Sequence, residues 1–310
     1  MAALFQTALE LGLISSLTVL ALYLSYTMLN VCDLSTDGAF TMGAAVGAVV
    51  AISGHPYLSI VAAICAGVLS GFVVAFLQTK MGIDSLLAGI IVNTAAYSIN
   101  IAIMGNSSLL NMNSVETVFS KLKGFLGETA LASYSKLIVI VLFVAIVCIL
   151  LAFFLRTRLG LAIRATGDNP DMVKSSSINT VVITIVGLCI SNSFTALSGC
   201  LLAQYNKSAN IDIGTGMLTV ALASLLIGRM FFKKHGTGFG VIGAVIGAVL
   251  FRVVYTLALR LNMPASMLKL VSSVIVIIAI AGPYFAGKMK EKTMKKIMVS
   301  KPSETEGKNA

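Results

Sequence analysis

The sequence predicts an all-α, polytopic helical membrane protein with about nine membrane segments, its N-terminus outside and its C-terminus inside. Three observations carry this. Of 310 residues, 57% are hydrophobic and 11% charged, with a mean hydropathy of +0.96, whereas soluble domains carry about 25% charged residues. Apolar runs of about 20 residues, the length that crosses a bilayer core, recur along the chain. The roughly ten-residue alternation of an outer-membrane barrel is absent.

Segment A covers about 4–30, with Glu10 its single charge. A break follows at Asp33-Leu34-Ser35-Thr36-Asp37-Gly38. Segment B, 39–53, is rich in small residues, and its Gly43 and Gly47 have the spacing that lets two helix backbones approach closely in lipid. Gly54-His55-Pro56 makes a turn before C (57–79), and Lys80 to Asp84 connects C to D (85–104). The polar stretch Asn106–Ser135 is too long for a tight turn and reads as a structured extramembrane loop. Segment E (136–155) leads into a polar island, Arg156–Thr180, followed by F (181–204) and G (214–228). A basic loop, Arg229–His235, precedes H (238–259) and I (266–286). Residues 1–287 form the membrane domain and 288–310 a basic, partly disordered tail.

The net charge of +10 follows topology rather than nucleic acid. Seven lysines lie after Gly287, and seven further basic residues lie in the island and the Arg229–His235 loop. Placing all three inside obeys the positive-inside pattern and puts anionic lipid within reach. Cys32, Cys65, Cys148, Cys189 and Cys200 are scattered through apolar segments and read as small buried hydrophobes, with no disulfide or metal pattern. His55 and His235 lie far apart in sequence, so no metal site is expected. The first apolar run has no basic n-region or cleavage site and reads as a retained span. A weak repeat pairs Leu17-Thr18-Val19 with Leu218-Thr219-Val220 and Gly43/Gly47 with Gly243/Gly247. Chance similarity between small-residue-rich helices gives the same pattern.

Ionisable groups at membrane depth point to a pathway, because burying them in hydrocarbon costs several kcal/mol. Asp33, Ser35, Thr36 and Asp37 flank a helix break, as groups near transporter pathways do; the alternative is that they merely cap segment B. Asn93, Tyr97 and Asn100 form one stripe on segment D, and Asn192 with Ser191, Ser193 and Thr195 forms a patch on F. Such stripes line a pathway or join helices by hydrogen bonds. Arg252 lies within H and either snorkels, pairs with Asp212 or meets a solute carboxylate.

In the island, Arg164 and Lys174 add positive charge. Asp168 or Asn169 reads as an N-cap, Pro170 as a first-turn residue, and Asp171 as an anion at the helix dipole's positive end. This helix runs to about Ser177, offering a rigid grip for a partner. No phosphate-binding GxxxxGK[ST] loop occurs, so ATP hydrolysis is not expected on this chain. GxSxG, HExxH and other hydrolytic groupings are absent as well.

The run Gly160-Leu-Ala-Ile-Arg164-Ala-Thr-Gly167-Asp168-Asn169-Pro170-Asp171-Met172 resembles the cytoplasmic loop of permeases in the branched-chain amino-acid group of ABC importers. Ribose and nucleoside permeases are more distant relatives. Asp33 to Gly43 is similar to that group's motif at its first helix break. Ser85 to Gly89, Tyr97 to Asn100 with Met104-Gly105, Ala196 to Tyr205 and Leu222 to Gly228 resemble it too. The nearest branch is the tryptophan or tyrosine permeases that work with a lipoprotein binding subunit. The resemblance covers roughly 12–283, with two departures: Asn93 replaces an apolar residue and Cys200 replaces Ala. It implies a pathway for a small solute, favouring an aromatic amino acid, in the bacterial plasma membrane. It also implies a second permease subunit, two ATPase subunits holding the ATP, and an extracytoplasmic binding protein. The helix from Asn169 to Ser177 would be the coupling helix, with Arg164, Gly167, Asp168, Asn169, Pro170, Asp171 and Lys174 at the ATPase contact. Other readings are a nucleoside or other small-solute importer of the same build, and an ion-coupled transporter using Asp33 or Asp37.

Overall fold

The computed structural model describes residues 2–121, 134–232 and 237–260, with helical residues 270, 273, 274, 276, 277 and 281. Each expected segment from A to H becomes a helix. These are α1 (Ala2–Leu22, continued as a π-helix Tyr23–Met28), α2 (Thr36–Ile52), α3 (Pro56–Thr79) and α4 (Ser85–Ile103). After them come α5 (Ser135–Phe154), α8 (Thr180–Asn206), α9 (Met217–Phe232) and α10 (Thr237–Arg260). Among the described residues six helices are long and apolar enough to span a membrane, and 36–52 and 217–230 are shorter apolar helices. Expected segment I (266–286) and the tail 288–310 lie outside the described residues apart from the helical residues above, as do 122–133 and 233–236.

The central post is α8. Asn179 caps it, its Oδ1 accepting from the N–H groups of Val181 and Val182 at 3.0 and 3.4 Å. Small residues let its neighbours approach closely. A side chain at Gly43 or Gly47 would meet Ala196 or Cys200, and one at Gly67 or Gly71 would meet Asn192 or Leu188. Polar side chains then join backbones, as helices in lipid require. Ser191 Oγ donates to the Ala21 carbonyl (2.8 Å) and Ser198 Oγ to that of Ile14 (2.7 Å). These registers run α1 and α3 antiparallel to α8.

The break between α1 and α2 is deeper than a surface loop. The π-turn ends at Met28 beside Gly167, and Asn30 takes a left-handed φ of 56°. The chain then reverses along α8 until Asp33 meets Asn192 near the midpoint of that helix. So α2 starts about halfway along α8, which explains why it is short. Helix α9 is short for the matching reason: its N-terminus lies against Asp37. Two helix starts therefore meet in the interior.

The all-α class stands, with a short antiparallel pair, β1 (Leu109–Asn111) on β2 (Ser208–Asn210), that ties the long loop to the end of α8. Two expectations are corrected. The polar island holds two helices rather than one, α6 (Arg158–Asp168) and α7 (Pro170–Ser175). The five free cysteines are not uniformly buried: Cys200 is, but Cys65 is exposed on α3. The repeat gains no support from packing, because Gly43/Gly47 contact α8 whereas Gly243/Gly247 contact Gly228 and Ser224 on α9.

Candidate functional site

Where the starts of α2 and α9 meet the side of α4, a cavity of about 390 Å³ opens. Asp37, Gly38 and Thr41 line it from α2, Asn93, Thr94, Tyr97, Ser98 and Asn100 from α4, and Ile211, Asp212 and Thr215 from the segment before α9. Asp37 builds its floor. Its Oδ2 accepts from the Gly216 N–H and its Oδ1 from the Leu218 N–H, both at 2.8 Å. The carboxylate thus satisfies free donors of the α9 N-terminus and faces its positive end. Gly38 lets α4 close in: a side chain there would run into Asn93 and Ala96. Asn100 is buried and donates from Nδ2 to the Gly38 carbonyl at 3.3 Å.

Asn93, Tyr97 and Asn100, the stripe expected on segment D, share one cavity with Asp37. Thr41, Thr94, Ser98, Asp212 and Thr215 escaped the sequence reading as wall residues. Thr94 and Ser98 were legible, since they widen the stripe at the next helical positions. Asp212 and Thr215 were not, because they come from a chain segment remote in sequence.

Asp33, Ser35, Thr36 and Asn192 are brought together elsewhere, in a closed knot. Asp33 Oδ2 accepts from Asn192 Nδ2 at 2.7 Å, while its Oδ1 accepts from the Ser35 N–H (2.8 Å) and Ser35 Oγ (2.6 Å). Thr36 Oγ1 donates to the Asp33 carbonyl at 3.0 Å. All four side chains are at most 3% exposed and none lines the cavity. The arrangement locks the chain reversal onto α8. Arg252 stacks on Tyr255 at 5.2 Å and makes no ion pair with Asp212 among the described residues.

In the island, Asn169 rather than Asp168 is the N-cap of α7. Its Oδ1 accepts from the N–H groups of Asp171 and Met172, both at 3.1 Å, and Pro170 opens the helix. Asp168 instead ends α6, since the extended backbone of Asn169 (φ −158°, ψ 98°) separates the two helices. Lys174 Nζ reaches Asp171 Oδ1 at 3.2 Å on the exposed side. The helix closes with Ser177 left-handed at φ 61°, the Ile178 N–H bonding to the Val173 carbonyl and the Ser177 N–H to that of Lys174. That pairing is a Schellman stop, which ends α7 at Ser175, close to the expected end at about Ser177. Val173 is 2% exposed and Met172 63%, so one apolar residue anchors α7 and its neighbour is presented outward. Arg164 is exposed on α6, while Gly167 is pressed against the Met28 backbone.

The helices form an apolar bundle with a deep helix break beside a polar cavity, and a capped helix pair links α5 to α8, the build of a polytopic membrane protein. Residues 4–280 match the family described as the permease component of branched-chain amino acid transport systems, and the chain belongs to that family. It is 36% identical over 271 residues to a tyrosine transport system permease protein of Clostridioides difficile, covering 87% of this chain and 88% of the relative. A galactose/methyl galactoside import permease of Escherichia coli is 28% identical over 64% of this chain and 58% of its own length. A nucleoside ABC transporter permease of Lactococcus lactis is 25% identical over 75% of this chain and 74% of its own. No solved structure matches. The chain is thus a multi-pass ABC-importer permease of the plasma (inner) membrane, a transport subunit whose ATPase is a separate chain.

Proposed function

We propose that the Asp37–Asn93–Tyr97–Asn100 cavity is this subunit's share of a translocation pathway for a small amino-acid-like solute, an aromatic one favoured. The observation that carries this is the exposed polar face of α4. Thr94, Tyr97 and Ser98 are exposed beside the exposed Asp212 and Thr215, and hydrocarbon cannot solvate such a surface. A second copy facing it, in a homodimer, turns the cavity into an interior passage. Tyr97, 52% exposed, offers a ring on which an aromatic solute stacks. The likeness to a tyrosine permease supports the aromatic reading. Sugar and nucleoside relatives support the second reading, a polar ring solute, through the same amides and hydroxyls.

Nine segments, with the island inside and the β1–β2 pair outside, complete the architecture. Two ATPase subunits dock on α7, and an extracytoplasmic binding protein delivers solute at the β1–β2 face. The coupling contact uses Arg164, Asp168, Asn169, Pro170, Asp171 and Lys174, with Gly167 packing α6 onto the Met28 backbone behind it. An ion-coupled mechanism loses its support, because Asp33 is engaged by Asn192 and Ser35, and Asp37 by α9. The test is uptake into proteoliposomes holding this chain, its ATPase and its binding protein. ATP-dependent tyrosine uptake that falls at least tenfold in Asn93→Leu/Tyr97→Ala agrees with the reading; unchanged uptake in that variant refutes it.

A further inference from the structure

We infer that the cavity selects solutes by a hydrogen-bond-donating, positively charged group such as an ammonium, and disfavours anions. The inference rests on the cavity reading above and adds the charge class of what enters it.

Charge is the first observation. Among the described residues the cavity wall holds two carboxylates, Asp37 and Asp212, and no lysine, arginine or histidine. An entering carboxylate therefore meets amides, hydroxyls and two like charges. Like charges confronted at low dielectric repel strongly, and opposite ones attract. The two helix N-termini beside Asp37 offset part of its charge, but among the described residues the Asp212 carboxylate accepts no hydrogen bond, while its own N–H donates to Asn210 Oδ1 at 3.0 Å.

The second observation is independent of charge. Asn100 is 0% exposed, stands in the cavity wall, and its Oδ1 has no hydrogen-bond partner. Reversing the amide does not remove this acceptor, because the other end faces the Gly38 carbonyl, which only an N–H can satisfy. A buried acceptor left unmade costs about 1–3 kcal/mol. A solute N–H would satisfy it, and a carboxylate would not. Acceptors also dominate the nearby hydroxyls: Thr41 and Thr94 already spend their protons on the carbonyls of Asp37 and Ile90, leaving their lone pairs to the cavity. Asn93, Tyr97, Ser98 and Thr215 can still donate, so the demand for a donor is set by Asn100 Oδ1 and the two carboxylates.

The experiment places a cysteine at Ser98, an exposed wall position, in the assembled permease–ATPase complex in proteoliposomes. Its modification is followed by mass spectrometry with 2-aminoethyl and 2-sulfonatoethyl methanethiosulfonate, and the rate ratio is divided by that for free cysteine. A corrected preference for the cationic reagent of about tenfold, falling severalfold when Asp212→Asn is added, is the expected result. Asp212 lies on an exposed loop, so this variant keeps the fold. A corrected ratio near one, or a ratio indifferent to Asp212→Asn, overturns the inference. Uptake before and after labelling reads the pathway separately: labelling that leaves uptake intact defeats the pathway reading while the charge ratio is still measured.

Discussion

Asp37 is the residue on which the cavity depends, because its two carboxylate oxygens hold the start of α9 from the first turn of α2. Asp37→Asn keeps one acceptor and should cost about 1 kcal/mol, whereas Asp37→Leu removes both and should cost about 2–3 kcal/mol. Thermal melting of the detergent-solubilised chain checks the order; equal losses would show that the cap is not what matters. Asn192 is a sharper case. Replacing it by Leu leaves the buried Asp33 carboxylate short of a 2.7 Å donor, and a buried charged acceptor left short of a partner costs about 2–3 kcal/mol. Ser193→Ala, whose hydroxyl bonds only within α8, should cost under about 1 kcal/mol, so the two melts should separate widely.

At the scale of elements, α6 and α7 are tied to the start of the cavity. Gly167 on α6 touches the backbone at Met28, the chain from Met28 leads to the Asp33 knot, and α2 then starts at the cavity. This is a contiguous route from the exposed α7 to the wall residue Asp37; its coupling is to be shown by variants. Asn169→Ala removes both bonds of the α7 cap and should destabilise that turn by about 1 kcal/mol. Ser177→Gly relieves a left-handed serine and should stabilise it slightly, by about 0.5–1 kcal/mol. Amide hydrogen exchange at Met172 and Val173 reads both: faster in the first variant, slower in the second. The cap chemistry of Asn169-Pro170-Asp171 was legible in sequence because local donors and acceptors fix it. Helix α6 was not, since its apolar face, Ala162 and Ile163, is interrupted by charges and is made helical by packing on α8. The break at 33–38 could be read as a break, but its depth depends on Asn192, 159 residues away.

On the scale of the whole molecule, two kinds of surface separate. Helix α5 presents Ile149 and Phe153, 69% and 71% exposed, as apolar area, while α4 presents Thr94, Tyr97 and Ser98. The chain has no tryptophan, so single reporters are clean. In brominated lipid, Phe153→Trp should lose most of its fluorescence and Tyr97→Trp little; equal quenching would put α4 against lipid. The apolar-run pattern made the helices predictable, and the stripe on α4 made half of the cavity predictable. The other half was hidden because Asp212 and Thr215 join it only through the fold.

The most direct measurement is ATP-dependent uptake by the reconstituted importer carrying Met172→Asp with Asp171→Lys. Both residues are exposed on α7 and far in sequence from every cavity residue. The expected result is that the ATPase no longer co-purifies with the permease and uptake falls to background, with the melting temperature of the permease unchanged. Uptake that persists in this variant, or that proceeds without any ATPase, would contradict it.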